Sequence, residues 1–551
     1  MANPSLQIGN DNWAIKEDNL LGYSTAGTRF VPQPITMTRG SAGTRVNPSG
    51  LVETVELLGS EEIDCGDFEC ATPLTYWDEV GNSSLVVGDY QGRTNVANIN
   101  ILGTANSDRI AQDFDYVSGV TYFISIDIYL VSGNFRCDTA NSVVPYDFVN
   151  TSITGSWQTL TGYFTPISSG TNGLWLRSSQ QVNQFYVSNI SVKESTKNDL
   201  ARVDYTDGTS SLLAEPMRTN EVNYSEDFSQ WTPVGSHTEI NNTTLSNPSG
   251  VSTVGLAEAT TGTSVKYFIE AAVSTVKSTV SIYLKYNSHQ WVQITGLGGK
   301  TSYANFDIQN GVLGSSSGGT SKITLFGDGW YRCELSESAD QNGSNIAVAL
   351  VTSGTSSRLS NTTLTGSIYM WGAQVEAGSY ATSYIPTDGG TVTRNQDQYT
   401  KTGISDLINS EEGVLFVEMA ALADDETLRE ITLSDGTGTG ANYILIRFNS
   451  GGSNRIYTRV DVGGSYQYFD LDTSHTVTDM NKIAIKWKNA DFSTFINGVE
   501  VGSLLSGSIF SSGTLNKLSL TSAYGGANLY AKVKQLQVFK TADIDLAALT
   551  S

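Results

Sequence analysis

Hydrophobic and polar residues alternate along this chain in many short runs. From Thr121 to Val131 the sequence TYFISIDIYLV sets β-branched and aromatic side chains against polar ones, which fall on alternate positions from Ser125 to Tyr129. A period of two is the mark of a strand with one buried face. Gln158–Thr165, Gly173–Arg177 and Phe185–Val192 follow the same rule. Short strands separated by turns predict an antiparallel sandwich across residues 61–197.

Residues 219–396 repeat this grammar. Ser281–Lys285 (SIYLK) answers Asp127–Leu130 (DIYL), Gly329–Glu334 (GWYRCE) answers Gly155–Gln158 (GSWQ), and Ile368–Glu376 (IYMWGAQVE) answers Phe185–Glu194. Three landmarks in one order imply two copies of one fold. Residues 397–551 carry a different signature. Alternating runs at Gly413–Met419, Ala441–Phe448, Arg455–Val462 and Lys482–Lys488 lead into a hairpin, Phe492–Val501, turned at Asn497-Gly498, and then to Lys517–Leu520 and Ala531–Phe539. The tail Asp543–Leu549 adds one short helical turn.

Two stretches break the pattern. Pro32, Pro34, Gly40, Gly43, Pro48 and Gly50 interrupt residues 1–60, a segment too poor in apolar side chains to build its own core. It is expected to be an extended docking arm ordered by a partner, a loose leader without function being the alternative. Leu200–Gly208 reads as a strand ending in a tight Asp207-Gly208 turn, after which Pro216 biases Glu215 toward an extended conformation. Residues 198–218 are therefore a linker. The fold class expected is all-β, with three consecutive antiparallel β-sandwich domains (61–197, 219–396 and 397–551) after an N-terminal docking segment.

Length and composition agree. At roughly 150 residues per domain, 551 residues make three or four domains. A charged fraction of 16% beside 54 glycines suits many strands and turns better than helical bundles. The formal net charge of −23 repels nucleic-acid phosphates and anionic membrane surfaces. No basic, apolar leader of a secretory signal opens the sequence and no run is long enough to span a membrane, so synthesis in the cytoplasm without membrane insertion is expected.

Three stretches resemble bacteriophage virion fibre and spike proteins: NLLGYSTAGTRFVPQPITMTRGSAGTRVNPSGLVET (19–54), RVDYTDGTSSLLAEPMRTNEVNYSEDFSQW (202–231) and SIYMWGAQVEAGSYATSYIPTDGGTVTRNQD (367–397). In such proteins the first two run almost directly together, so 61–197 is read here as an inserted domain. The resemblance implies jelly-roll, carbohydrate-binding-module-like sandwiches, a concanavalin A or laminin-G type C-terminal domain, and a homotrimer on the virion surface. It further implies attachment to capsid, portal, collar or tail proteins through the first segment, with Trp13, Leu20, Leu21, Tyr23 and Phe30 as the docking side chains. A head or tail fibre adhering to host-surface polysaccharide is the function expected. A purely structural decoration or collar and a glycan-depolymerising tailspike are the alternatives. A virion protein assembled in the cytoplasm keeps its thiols reduced. Cys65 and Cys70 are accordingly read as free, partly buried thiols, a hairpin disulfide being the alternative.

Chemistry is sparse. Three scattered histidines, with no nucleophile elbow, phosphate loop or zinc motif, leave no catalytic residue to nominate, and no cofactor is called for. Sugars stack their C–H faces on aromatic rings and bond planar amides and carboxylates. On that ground Tyr286, His289 and Trp291, Tyr466, Tyr468 and Tyr524, and Tyr76 with Trp77 are glycan-binding candidates, core or edge packing being the competing reading for each. Trp157, Trp330, Trp371 and Trp487 are assigned to cores. Asp424, Asp425 and Asp435 offer oxygen ligands for a structural Ca2+, against the reading of a solvated acidic loop.

Overall fold

The structure is a computed structural model that describes all residues except 1–2, 11–12, 17–18, 27–28, 106, 140–142, 145–146, 180, 236, 243–244, 253, 260–266, 272–275, 342, 344 and 361–363. The chain divides into two compact units, Glu56–Lys197 and the remainder.

The inserted unit is a sandwich of two antiparallel sheets. One runs, edge to edge, Val143–Val144, Trp157–Pro166, Tyr122–Ser132, Asn183–Thr196, Arg93–Ile101 and Ser83–Tyr90; the other runs Asp147–Thr151, Phe135–Thr139, Gly170–Arg177, Arg109–Tyr116 and Asp78–Val80. Alternate residues of Tyr122–Ser132 (Tyr122, Ile124, Ile126, Ile128 and Leu130) are buried between the sheets, as the period of two requires. One end of this core is closed by Phe68 and Trp77, both buried and 5.7 Å apart. Trp77 Nε1 donates to the Cys65 carbonyl at 3.2 Å. The expectation of free thiols is corrected here: Cys65 and Cys70, with Cα atoms 5.7 Å apart, form a disulfide across this loop. Cys65 at φ 53° and Phe68 at φ 57° give the turn that brings the two cysteines together.

The middle sandwich of the larger unit has the same plan. One sheet runs Gly319–Gly327, Trp330–Glu337, Ser278–Tyr286, Gly366–Ala377, Val254–Ala259 and His237–Asn242; its partner runs Val312–Ser317, Tyr303–Asp307, Trp291–Leu297, Asn345–Leu350, Tyr267–Ala271 and Thr232–Val234. In spatial order these sheets match those of the inserted unit, with Val312–Ser317 added at one edge and without a counterpart of Leu57–Glu61, which pairs with Asn183–Thr196 in the inserted unit. The register shift between Asp127 and Ile128 on the inserted unit's central strand is matched by one between Ser281 and Tyr283. The internal repeat read from three landmarks therefore extends through both sheets.

The last sandwich is where the first segment differs from expectation. Its inner sheet pairs Phe492–Ile496, Asn481–Lys488, Glu412–Ala421 and Ala531–Phe539, and Ala531–Phe539 pairs onward with Leu6–Gly9. Leu6–Gly9 pairs with Asn19–Ala26, which pairs with Arg29–Thr38. That strand joins Gln398–Thr402, Lys517–Ser519, Arg429–Ser434, Tyr443–Phe448, Ile456–Val462 and Ser465–Asp472 in the other sheet. The leader thus stitches the two sheets together, and Leu6, Ile8, Leu20, Ile35 and Met37 lie in the same core as Leu415, Ile446, Trp487 and Leu536. It lacks a core of its own, as read, but the partner that orders it is the far end of its own chain. The hairpin turn has Asn497 at φ 49° and Gly498 at φ 84°, and Leu546–Thr550 forms the short helix, capped by the Asp545 side chain on Ala548 N.

The linker is structured too. Arg202–Asp204 and Ser211–Ala214 pair as a hairpin, and Ser211–Ala214 adds to Ala531–Phe539. Behind it lies a buried ionic cluster. Arg202 Nη1 bonds Glu215 Oε2 at 2.7 Å and its Nη2 bonds Asp397; Arg39 Nη1 bonds Asp397 Oδ1 at 3.0 Å; Arg394 Nη1 reaches Glu215 Oε2 at 2.9 Å. Burial alone would raise the Glu215 pKa, but the charges of Arg394 and Arg202 overcome it and hold the carboxyl well below its usual range. These residues come from three separate stretches of the chain, 19–54, 202–231 and 367–397.

Candidate functional site

The solvent face of the last sandwich's outer sheet is built by strand alternation. Ile431, Ile444, Ile446, Ile456 and Val460 point into the core. Their neighbours Glu430, Tyr443, Arg447, Tyr457, Arg459 and Phe469 therefore stand on the opposite face. Cross-strand register places Glu430 beside Arg447, Arg447 beside Tyr457, and Arg459 beside Phe469.

Guanidinium groups and rings alternate across this face. Arg447 lies 5.8 Å from the Tyr457 ring, and Arg459 lies 5.8 Å from both the Tyr443 and the Tyr466 rings. Tyr466 meets Phe469 edge-on at 5.5 Å, and Arg447 Nη2 donates to Tyr524 Oη at 3.2 Å. Each arginine is held by a buried carboxylate. Arg459 makes two bonds of 2.6 Å to Asp461, which raise its pKa, and Arg447 pairs with Glu430. With their charges matched and their planes fixed, the two arginines act as rigid plates between rings. Tyr466, Phe469 and Tyr524 remain 62%, 54% and 53% exposed. A hollow of about 260 Å³ adjoins Tyr466 and Phe469 and is lined also by Tyr468, Gly502 and Leu504.

The candidates from sequence scatter around this face. Tyr466 and Tyr524 belong to it. Tyr468 does not: the register shift between Val460 and Asp461 turns it inward, where it is 3% exposed, stacks on Phe492 at 5.8 Å and donates to Thr494 at 2.9 Å. Tyr286, His289 and Trp291 are half-buried in the middle sandwich; Tyr286 packs on its core, a His289 ring nitrogen bonds the Val351 carbonyl at 3.0 Å, and Trp291 lies against Gly354. Tyr76 is 42% exposed but Trp77 is buried, which removes the pair as a stacking site. Phe469, Arg447 and Arg459 were missed, although Phe469 lies one residue beyond a nominated tyrosine.

The other expectations are revised on the same geometry. Leu20 is taken into the chain's own core, against which Trp13 packs partly buried, and Leu21 is buried; Tyr23 is half-buried, and the Phe30 side chain lies outside the described residues. Asp424, Asp425 and Asp435 do not converge. Asp424 accepts from Asn454 N at 2.8 Å, Asp425 pairs with Arg429 at 2.7 Å, and Asp435 accepts from Thr437 and Asn442. Among the described residues no three His, Cys, Asp or Glu side chains form a metal-holding group. A second hollow, of about 580 Å³, lies in the larger unit between Asp204, Lys322, Glu334 and Lys532, and none of the nominated residues lines it.

No protein-family model and no curated protein matches the chain. Among solved structures, the N-terminal CBM22-1–CBM22-2 tandem domain of Paenibacillus barcinonensis Xyn10C is similar at 12% identity over 58% of this chain and 98% of its own, with a TM-score of 0.23. The CBM40 of the Ruminococcus gnavus IT-sialidase, bound to α2,3-sialyllactose, is similar at 16% identity over 26% of this chain and 83% of its own, with a TM-score of 0.21. The same module bound to α2,6-sialyllactose gives 13%, 27%, 92% and 0.23. Likeness at this level carries no argument about function, which is read from this chain's own side chains.

Proposed function

We propose that the chain is a non-catalytic glycan-binding appendage of a bacteriophage virion, a head or tail fibre that adheres to host-surface polysaccharide through the outer face of its last sandwich. The carrying observation is the set of rings at Tyr466, Phe469 and Tyr524, exposed to solvent and braced by Arg447 and Arg459. Open rings beside fixed polar groups suit the C–H faces and hydroxyls of a sugar. The appendage reading is supported by the three fibre-like stretches, whose charged residues Arg39, Arg202, Glu215, Arg394 and Asp397 share one buried cluster. In this reading the protein is displayed as a homotrimer, where several weak sites gain by avidity. Because Leu20 and Leu21 are internal, contact with capsid or tail proteins falls to exposed leader side chains such as Val31.

The test is retention of the intact chain on immobilised envelope polysaccharide from candidate hosts, with the supernatant assayed for released sugar. Retention without release is expected. Release of soluble oligosaccharide would make the protein a depolymerase, and failure to bind any host polysaccharide would leave it a structural component.

A further inference from the structure

The two related sandwiches treat one face differently. On the middle sandwich, Tyr283 and Trp371 are opposite one another beside the register shift, with rings 5.2 Å apart. That face is sealed: Tyr384 from the exit segment packs on Trp371 at 4.7 Å, Val52 from the leader joins the cluster, and Tyr283, Trp330 and Trp371 are each 2% exposed. On the inserted sandwich the matching pair is Tyr129 and Tyr186, with Trp157 opposite Tyr129. Here no described residue packs on the rings as Val52 and Tyr384 do, and Tyr129, Trp157 and Tyr186 are half-buried rather than sealed. Trp157, assigned to the core from its strand pattern, stands on the outer face instead.

The open face continues into uncharged polar groups. Tyr90 stacks on Tyr186 with centroids 3.5 Å apart, making an aromatic wall. Next to it, in register, are Asn98 opposite Tyr186 and Asn100 opposite Gln184. Gln184 Nε2 donates to Asn98 Oδ1 at 3.1 Å and to Tyr186 Oη at 3.3 Å, so the amides hold one another in place. Beyond Asn98 is Val86, 63% exposed. Arg93, over Trp157 at 4.2 Å, is paired with Asp127 at 3.0 Å and brings no unmatched charge.

We infer that this face of the inserted sandwich is a second glycan site, specific for neutral, hydroxyl- or acetamido-bearing chains. An amide offers both a donor and an acceptor, which matches a sugar hydroxyl or acetamido group, whereas a carboxylated or sulfated chain would meet an arginine already paired and a protein of net charge −23 around it. From Trp157–Pro166 to Ser83–Tyr90 the sheet spans four strand spacings, ~19 Å, the reach of a short oligosaccharide. The site is independent of the last sandwich.

The experiment is isothermal titration of the full chain with cellohexaose, chitohexaose and, as the charged comparison, a hyaluronan hexasaccharide. To isolate the second site the background is Y466A/F469A, in which the last sandwich's face is removed. A neutral hexaose is expected to bind this background, and N98A/Q184A added to it is expected to weaken that binding at least tenfold. Y186F, which keeps the stack but removes the hydroxyl that Gln184 reaches, is expected to weaken it less and to leave the melting temperature unchanged. Binding unaffected by N98A/Q184A, binding of hyaluronan alone, or no uptake of either neutral hexaose by this background overturns the inference. If a neutral hexaose binds the wild type but not Y466A/F469A, this inference fails and the last-sandwich reading stands; binding kept by Y466A/F469A and lost with N98A/Q184A supports this inference whatever the fate of the last-sandwich reading.

Discussion

Arg202 and Glu215 face each other at 2.7 Å with both side chains out of reach of solvent, and Asp397 closes on the other arm of the same guanidinium. Through Asp397 and Arg394 the pair fastens a hairpin that would otherwise be a connector to the segment leaving the middle sandwich. Removing one member of a buried pair strands the other charge, at a cost of about 3–5 kcal/mol. R202M is expected to lower the melting temperature of the larger unit while the unit Glu56–Lys197 keeps its own transition, read by calorimetry.

The same cluster sets a pH dependence. Arg394 and Arg202 hold the Glu215 carboxyl below its ordinary value of 4.5, so the unfolded chain binds a proton at Glu215 more readily than the folded one. Its contribution is complete above pH 4.5 and is lost as pH falls through the lower folded value. Glu376, whose carboxyl burial pushes upward, works in the opposite sense. E215Q is therefore expected to flatten the acid limb of the stability curve, measured by urea unfolding between pH 3 and pH 7, relative to wild type.

Deletion of residues 1–38 removes Leu6, Ile8, Leu20, Ile35 and Met37 from the last sandwich's core and exposes the edge of Ala531–Phe539. The expected product aggregates or loses cooperative unfolding, because an unpaired edge and an opened core are both liabilities. A soluble, cooperatively folded truncation would show that the leader is separable after all. Size-exclusion chromatography with thermal melting distinguishes these.

The Cys65–Cys70 bridge closes a small loop over Phe68 and Trp77. By loop entropy its removal costs about 2 kcal/mol. C65S/C70S is expected to lower the inserted unit's transition and leave the larger unit's unchanged.

How much of this was legible in the sequence differs by level. The all-β architecture and the internal repeat were written in strand alternation and in the landmarks around Tyr129, Trp157 and Tyr186, because a period of two survives without knowledge of partners. The leader's role was not, since Leu6 and Ile8 look too sparse for a core until Ala531–Phe539, more than five hundred residues away, supplies the other side. Site residues were half-legible. Tyr466 and Tyr524 were nominated by type, but whether a strand aromatic points in or out depends on local register, and one shift beside Val460 buried Tyr468. Trp157 and Trp330 illustrate the same limit: they occupy one face of one fold, and only Val52 and Tyr384, distant in sequence, decide which is covered.

The central claim, adhesion through the braced rings of the last sandwich, is tested most directly by titrating the intact protein against the host envelope polysaccharide that retains it, wild type beside Y466A/F469A. At about 1 kcal/mol for each stacked ring, affinity is predicted to fall roughly ten- to thirtyfold with an unchanged melting temperature. Equal affinity in the two proteins would contradict it.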